Sequence, residues 1–272
     1  MRALSTGDMN TKHFAATLLL IGNGSIPHTG EDSVIDVPKK LGTQVQTEDE
    51  LIHEVYHNIN VHTFTNPDWL KERAILAARN DTVDRINAKL LDSFGGNQMV
   101  FKSFDTTLEQ SDAVQYITEF LNELNPSGLP PHRLVLKVGC PIMLLRNLNP
   151  PRLCNGTRLI VKSLMKNLIV ASIITGEYAG EVVFIPRISL APSDYPFEFR
   201  RKQYPVKLSY CMTINKAQGQ SLKVCGLHLE QNCFAHGQFY VACSRTGGPD
   251  RLKILCQEGQ SKNIVYKQAL QN

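Results

Sequence analysis

The 272-residue sequence contains no C-x-x-C pair among its seven cysteines (140, 154, 211, 225, 233, 243 and 256), and seven is an odd number. A disulfide-stapled domain and a cysteine-rich zinc site are thereby excluded; reduced, mostly buried thiols in the nucleus or cytosol are the simplest account. No apolar run approaches the ~20 residues of a membrane span. The longest, FAATLLLI at 14–21, follows Lys12 and His13, ends at Gly22, and reads as an amphipathic helix rather than a secretory leader. The dipeptide Gly-Lys never occurs, so the phosphate-binding pattern G-x-x-x-x-G-K-[ST] is missing. There is also no internal repeat and no low-complexity segment.

Carboxylates are missing from two long stretches. None occurs between Glu123 and Glu177, although Arg133, Lys137, Arg146, Arg152, Arg158, Lys162 and Lys166 do. None occurs between Glu198 and Glu230, where Arg200, Arg201, Lys202, Lys207, Lys216 and Lys223 stand. The formal net charge of +4 therefore hides an asymmetry. Residues 1–123 carry 18 Asp and Glu against 10 Lys and Arg, whereas residues 124–272 carry 7 against 19. Such segments are what a polyanion-binding surface needs, and they point to nucleic acid. With 42% hydrophobic and 20% charged residues the composition is that of an ordinary globular protein.

Apolar spacing predicts a helix over 10–21 and another opening at Thr47–Glu50, which has capping-box spacing, with Leu51, Ile52, Val55, Tyr56 and Ile59 as its stripe. The segment 73–91 reads as strand, turn and helix, a unit that builds parallel α/β sheets. A further helix is expected over 112–124. From about 125 to 188 only short strands separated by turns are visible: LVLKVG, PIMLL, TRLIVKSL, LIVASII and EVVFIP, with Asn155-Gly156 and Gly176 marking tight turns. This is a small all-β module, read as a barrel, set into an α/β domain. The α/β pattern resumes at YPVKLSYCMTI, where Tyr210, Met212 and Ile214 alternate as in a half-buried strand. A helix at 234–242 and a strand RLKILC follow.

Several motifs offer themselves for chemistry. His53-Glu54-Val55-Tyr56-His57 fits H-E-x-x-H, but no third histidine follows at the extended spacing and its helix is surface-mounted, so it is set aside as a zinc site. Asn23-Gly24-Ser25 and Asn155-Gly156-Thr157 read as turns, not glycosylation sites. The stretch from Asn215 to Ser221 is a loop of donors and small residues without an acid, suited to something negative. Ser244-Arg245 ends the 234–242 helix before Gly-Gly-Pro. A restrained arginine there can stabilise a phosphoryl group, or merely satisfy helix-terminal carbonyls.

MTINKAQGQSL (212–222) followed by HGQFYVACSR (236–245) closely resembles motifs V and VI of the PIF-type (petite integration frequency) DNA helicases, nearest to the helicase portion of Helitron rolling-circle transposases. MRAL at the start looks like the tail of the family's motif IV. FAATLLLIGNG, AILAARNDTVDRIN, the run from Leu121 to Val161 and NIVYKQAL also match in order, so the likeness covers essentially the whole chain.

The resemblance implies an α/β fold: the second RecA-like domain, 2A, made of residues 1–124 and 191–272 and carrying an inserted 2B-like β-barrel at 125–190. It implies an ATP-dependent 5′–3′ DNA helicase that acts with ATP and Mg²⁺ on single-stranded DNA and DNA forks, in the nucleus or in mitochondria. By motif position Arg245 and Arg2 are the catalytic arginines at the γ-phosphate, and Gln218, Gly219, Gln220 and Arg245 bind the nucleotide. Thr213, Asn215, Lys216, Arg146 and Arg158 face nucleic acid, and no metal ligand is expected. The chain departs from the family in lacking Walker A; Asp49-Glu50 opens a helix and is no Walker B. The expected remainder is a first RecA-like lobe that this sequence does not contain, so the chain is expected to be inactive alone. The alternative is a non-catalytic remnant that binds single-stranded DNA. Cys243 stands where the family has leucine, and Gly247-Gly248-Pro249 adds backbone freedom after Arg245.

Overall fold

The computed structural model describes residues 9–29, 33–60, 68–108, 116–192, 195 and 197–270. Helix α1 (Met9–Gly22) precedes strands β1 (Val34–Asp36) and β2 (Thr43–Val45), helix α2 (Glu48–Tyr56), the single turn α3 (Asp68–Lys71), β3 (Arg73–Ala77) and α4 (Asn80–Ser93). Next come β4 (Gln98–Lys102), β5 (Phe104–Thr107), α5 (Thr118–Glu123), β6 (Arg133–Lys137), β7 (Pro141–Leu144) and β8 (Arg158–Leu164). They are followed by β9 (Ile169–Ile173), β10 (Val182–Ile185), β11 (Ile188–Leu190), β12 (Phe199–Gln203) and β13 (Val206–Leu208). The chain ends with β14 (Cys211–Thr213), a 3₁₀ turn (Ile214–Ala217), β15 (Val224–His228), α6 (Gln238–Cys243), β16 (Leu252–Leu255), β17 (Gln260–Lys262) and short 3₁₀ turns. The contacts divide it into two units, Met1–Ala88 with Tyr210–Asn272, and Lys89–Ser209. The second is wider than the 125–190 insertion expected from the texture of the sequence.

The first unit is built on a parallel sheet of order β14-β3-β15-β16-β2. In β3 and β15 four consecutive residues are buried, as parallel strands covered on both faces require. The same covering corrects the expectation of a half-buried strand at 210–214: Tyr210, Cys211, Met212 and Ile214 are all buried, so both sets of alternating side chains face apolar surroundings. Helix α2 starts where its cap was expected. Thr47 Oγ1 accepts from Glu50 N at 3.1 Å, while the Glu50 carboxylate reaches back one residue further, to Gln46 N. It lies close on the sheet because Gly226 leaves room; a Cβ there would sit 2.9 Å from Val55 Cγ2.

The second unit carries an antiparallel sheet of order β10-β9-β8-β7-β13, a three-stranded sheet β11-β12-β5 and the pair β4-β6. The strands expected at 133–188 are all present, and Gly156 takes φ +91° in the turn between β7 and β8. Of the helix expected over 112–124, residues 112–115 lie outside the described set, and the described part is the short α5.

The centre of this unit is an ion pair. Arg201 and Asp105, whose side chains are both fully buried, bond through Arg201 Nε at 3.1 and 3.0 Å to the two carboxylate oxygens and through Nη2 at 2.7 Å. The remaining donors go to the carbonyls of Leu124, Pro130 and Leu121 at 3.0, 3.2 and 2.8 Å. All five guanidinium N–H groups are thus used, tying β12 to β5, α5 and the Pro-rich segment after it. A buried charge stripped of its partner costs about 3–5 kcal/mol. Arg201→Met should lower the unfolding free energy by that amount in urea titration. Adding Asp105→Asn should return part of the loss, leaving the cost of three undonated carbonyls.

Candidate functional site

The 3₁₀ turn and the loop after it hang from β14, an edge strand of three residues. No strand among the described residues lies beside its outer edge, and Asn87 of α4 takes that place. Asn87 Nδ2 donates to Cys211 O at 2.9 Å and Asn87 Oδ1 accepts from Cys211 N at 2.8 Å, as a neighbouring backbone would. The residue before the strand is fixed from below, where Tyr56 Oη donates to Tyr210 O at 2.6 Å and the two rings meet edge to face at 5.8 Å. Neither Asn87 nor Tyr56 was among the predicted site residues. A signal for Asn87 existed: it falls on the same helical face as Val83, Ile86 and Leu90, where a polar side chain needs a buried partner.

Within the loop, Ile214 and Ala217 are buried and act as anchors, while Asn215, Lys216, Gln218 and Gly219 are exposed. Gly219 has φ +82°, a backbone geometry that favours glycine. Thr213 and Gln220 are half-buried; Gln220 Nε2 donates to Lys216 O at 3.3 Å and folds the loop back on itself.

Arg245 closes this arrangement. Its Nη1 donates to Ala217 O at 3.2 Å and Gln220 O at 3.3 Å, its Nε to Val241 O at 2.8 Å, and its Nη2 to Ser244 Oγ at 2.7 Å. Leu222 N donates to Arg245 O at 2.9 Å, so main chain and side chain both join the loop to the end of α6. All these acceptors are neutral. Burial pulls the Arg245 pKa down from the ordinary arginine value, with no carboxylate to oppose it; the group stays charged. The carbonyl-satisfying role weighed at the sequence level is thus the arrangement present here.

The other predicted residues fare differently. Arg2 lies outside the described residues. Arg146, in the second unit, is half-buried and donates from Nη1 to Leu145 O at 3.2 Å. Arg158 must be corrected: it is fully buried at the start of β8, with Nη2 donating to Ser209 O at 3.3 Å, and it cannot meet a nucleic-acid phosphate there. Long side chains in strands alternate between faces, and the sequence did not tell which face Arg158 takes.

H-E-x-x-H is disassembled by its surroundings. Val55 and Tyr56 are core residues, His53 and His57 are exposed, and His57 lies past the end of α2. Glu54 meets Lys253 at 3.0 Å, a contact that holds its carboxyl below the usual range. Of the seven cysteines, all free, five are buried and two half-buried; burial pushes Cys140 up to about 12.

Residues 119–164 match the family described as DNA helicase Pif1, 2B domain. The ATP-dependent DNA helicase PIF1 of Rattus norvegicus is 30% identical over 184 residues, covering 66% of this chain and 27% of that protein. Among solved structures, the Pif1 helicase of Candida albicans superposes with a TM-score of 0.64 at 21% identity, over 99% of this chain and 57% of that one. Bacteroides Pif1 in complex with ADP-AlF3 and single-stranded DNA gives 0.60 at 20%, over 99% and 53%. The chain spans less than half the length of the curated relatives it matches. At these identities the superpositions speak for the fold: a RecA-like α/β domain with a 2B insertion. Matched segment, relatives and fold agree, and the chain belongs with the PIF-type DNA helicases, in the part of them that carries the 2B domain.

Proposed function

We propose that this chain is the second motor lobe of an ATP-dependent, 5′–3′ DNA helicase, gripping single-stranded DNA with the 213–220 loop and sensing nucleotide through Arg245. The observation that carries the proposal is the clasp between the Arg245 guanidinium and the carbonyls of Ala217 and Gln220. One side chain thereby bears on both ligands. Arg245 keeps its charge while held by neutral acceptors, and a phosphate oxygen is a better acceptor for it than a carbonyl. When Arg245 turns to such an oxygen, Ala217 and Gln220 are released, and the exposed Lys216, Asn215 and Gln218 shift with the loop that carries them. Gripping and letting go of a DNA backbone follow from that exchange. Thr213 supports the loop at its root; Gln218, Gly219 and Gln220 lie nearest the exchange, and Arg146 adds a cation on the 2B unit.

ATP and Mg²⁺ fit this chain only in part. Arg245 can meet phosphate, with Arg2 assigned alongside it by motif position, but the sequence holds no P-loop lysine and no Walker B pair. Those groups belong to a first RecA-like lobe. Settings consistent with such a motor are nuclear or mitochondrial DNA repair, recombination and telomere or genome maintenance, or Helitron transposition, which the wording of the motifs favours. A non-catalytic remnant that binds single-stranded DNA shares the grip and lacks the cycle.

Three outcomes are expected. The purified chain should release no phosphate from ATP above background, with or without single-stranded DNA; turnover by the pure chain would overturn the division of labour. It should bind an oligo-dT probe in fluorescence anisotropy with affinity that falls as salt rises, and Lys216→Ala should lower the salt slope by about one. In Arg245→Ala the amides of 217–222 should exchange with solvent at least tenfold faster. Hydrogen bonds to a charged donor are worth about 1.5–3 kcal/mol, and the Cys211 amide, held by Asn87, should be unaffected. Unchanged exchange at 217–222 would show that the clasp does not hold the loop.

A further inference from the structure

Phe104 is 67% exposed at the start of β5, between Ser103 and Asp105, which are 7% and 5% exposed. A lone exposed apolar residue needs no explanation, but the surroundings of this one are specific. In the three-stranded sheet Phe104 stands directly opposite Lys202 of β12, and Arg200, two residues along and exposed, shares that face. The opposite face is closed by the Arg201–Asp105 pair and α5. The Arg187 guanidinium lies 5.8 Å from the Phe104 ring centroid, held by bonds of 2.7 Å to Lys102 O and 3.1 Å to Gln203 Oε1.

Two residues before Phe104, exposed Lys102 is paired across the β4–β6 ladder with exposed Arg133. Like charges set directly opposite are destabilising. None of Lys102, Arg133, Arg200 and Lys202 makes an ion pair among the described residues. Glu198 limits the cationic surface at its other end.

Five cations around one bare ring, two of them set against each other, describe a site whose anion comes from outside. The geometry points to the exposed face of β5 and β12 as a second contact for single-stranded nucleic acid: Phe104 stacks on one unpaired base while Lys102, Arg133, Arg200 and Lys202 take the flanking phosphates. The aromatic supplies a platform that any base can use and the cations follow the backbone, the combination that sequence-tolerant single-strand binding employs. Arg187, seated over the Tyr204 ring at 4.8 Å, adds charge beside Phe104. The inference rests on the DNA-binding proposal above and extends it to the Lys89–Ser209 unit.

The test uses the whole chain and an oligo-dT probe. Phe104→Ala removes an exposed side chain and should weaken binding about tenfold while leaving the salt slope unchanged. Lys102→Ala and Lys202→Ala should each lower the slope by about one. Phe104→Trp should retain affinity, and its new indole should be quenched by bound DNA against the steady background of buried Trp69. If Phe104→Ala binds as tightly as the parent, or the indole of Phe104→Trp is not quenched, while Lys216→Ala does weaken binding, this second contact is refuted and the loop site stands. If the parent chain does not bind the probe at all, both fall.

Discussion

Holding a three-residue strand at the edge of a buried parallel sheet is the constraint from which the rest follows. Among the described strands β14 has one neighbour, β3, and its other edge would be left with unpaired backbone groups in an apolar setting. Each such group costs about 1–3 kcal/mol if it finds no partner. Asn87 answers that cost at Cys211, and Tyr56 adds a second bond to Tyr210 O, which already accepts from Ile75 N of β3. With the strand pinned on both sides, the loop after it leaves from a fixed point, and Arg245 needs only to reach Ala217 and Gln220 to set its shape.

Charge counted along the chain proved a blunter guide than charge placed in space. The carboxylate-free stretch between Glu198 and Glu230 contains Arg201, and that between Glu123 and Glu177 contains Arg158; both are fully buried. Arg201 is neutralised by Asp105, a residue 96 positions earlier that no local pattern connects to it. Long cationic side chains occupy cores when every donor finds an acceptor, and that requirement is met by tertiary carbonyls invisible in one dimension. What survives as surface charge is therefore smaller than the composition implied and concentrated at fewer places.

Elements whose cause is local could be read from the sequence. The cap at Thr47, the Asn-Gly turn at 155–156 and the run of short strands from 133 to 185 each depend on neighbours within a few residues. Elements whose cause is distant could not. Cys211 is buried, as are Tyr210, Met212 and Ile214, because both faces of its sheet are covered, so period-two alternation misjudged its environment. The wider extent of the second unit depends on β5 and β12 pairing across almost a hundred residues. In the site, motif resemblance singled out Arg245 and the loop, but that the two touch is a tertiary fact, as is the role of Asn87.

Arg201 and Arg245, each held by several hydrogen bonds, have opposite consequences. Arg201 bonds to a carboxylate in full burial; its charge is cancelled, and removing either partner leaves an uncompensated ion worth about 3–5 kcal/mol. Nothing entering from solvent can compete with that. Arg245 is half-buried and bonds only to carbonyls and a hydroxyl, so its geometry is set while its charge is left uncancelled. An anion has only to outbid neutral acceptors worth about 1.5–3 kcal/mol each, and charge-assisted hydrogen bonds to phosphate are stronger than those to carbonyls. A carboxylate at Ala217 or Gln220 would have made a tighter clasp and a useless one. The want of acidic residues from 199 to 229, first noticed as a bias of composition, is at this position the condition for an arginine that is both held and able to let go.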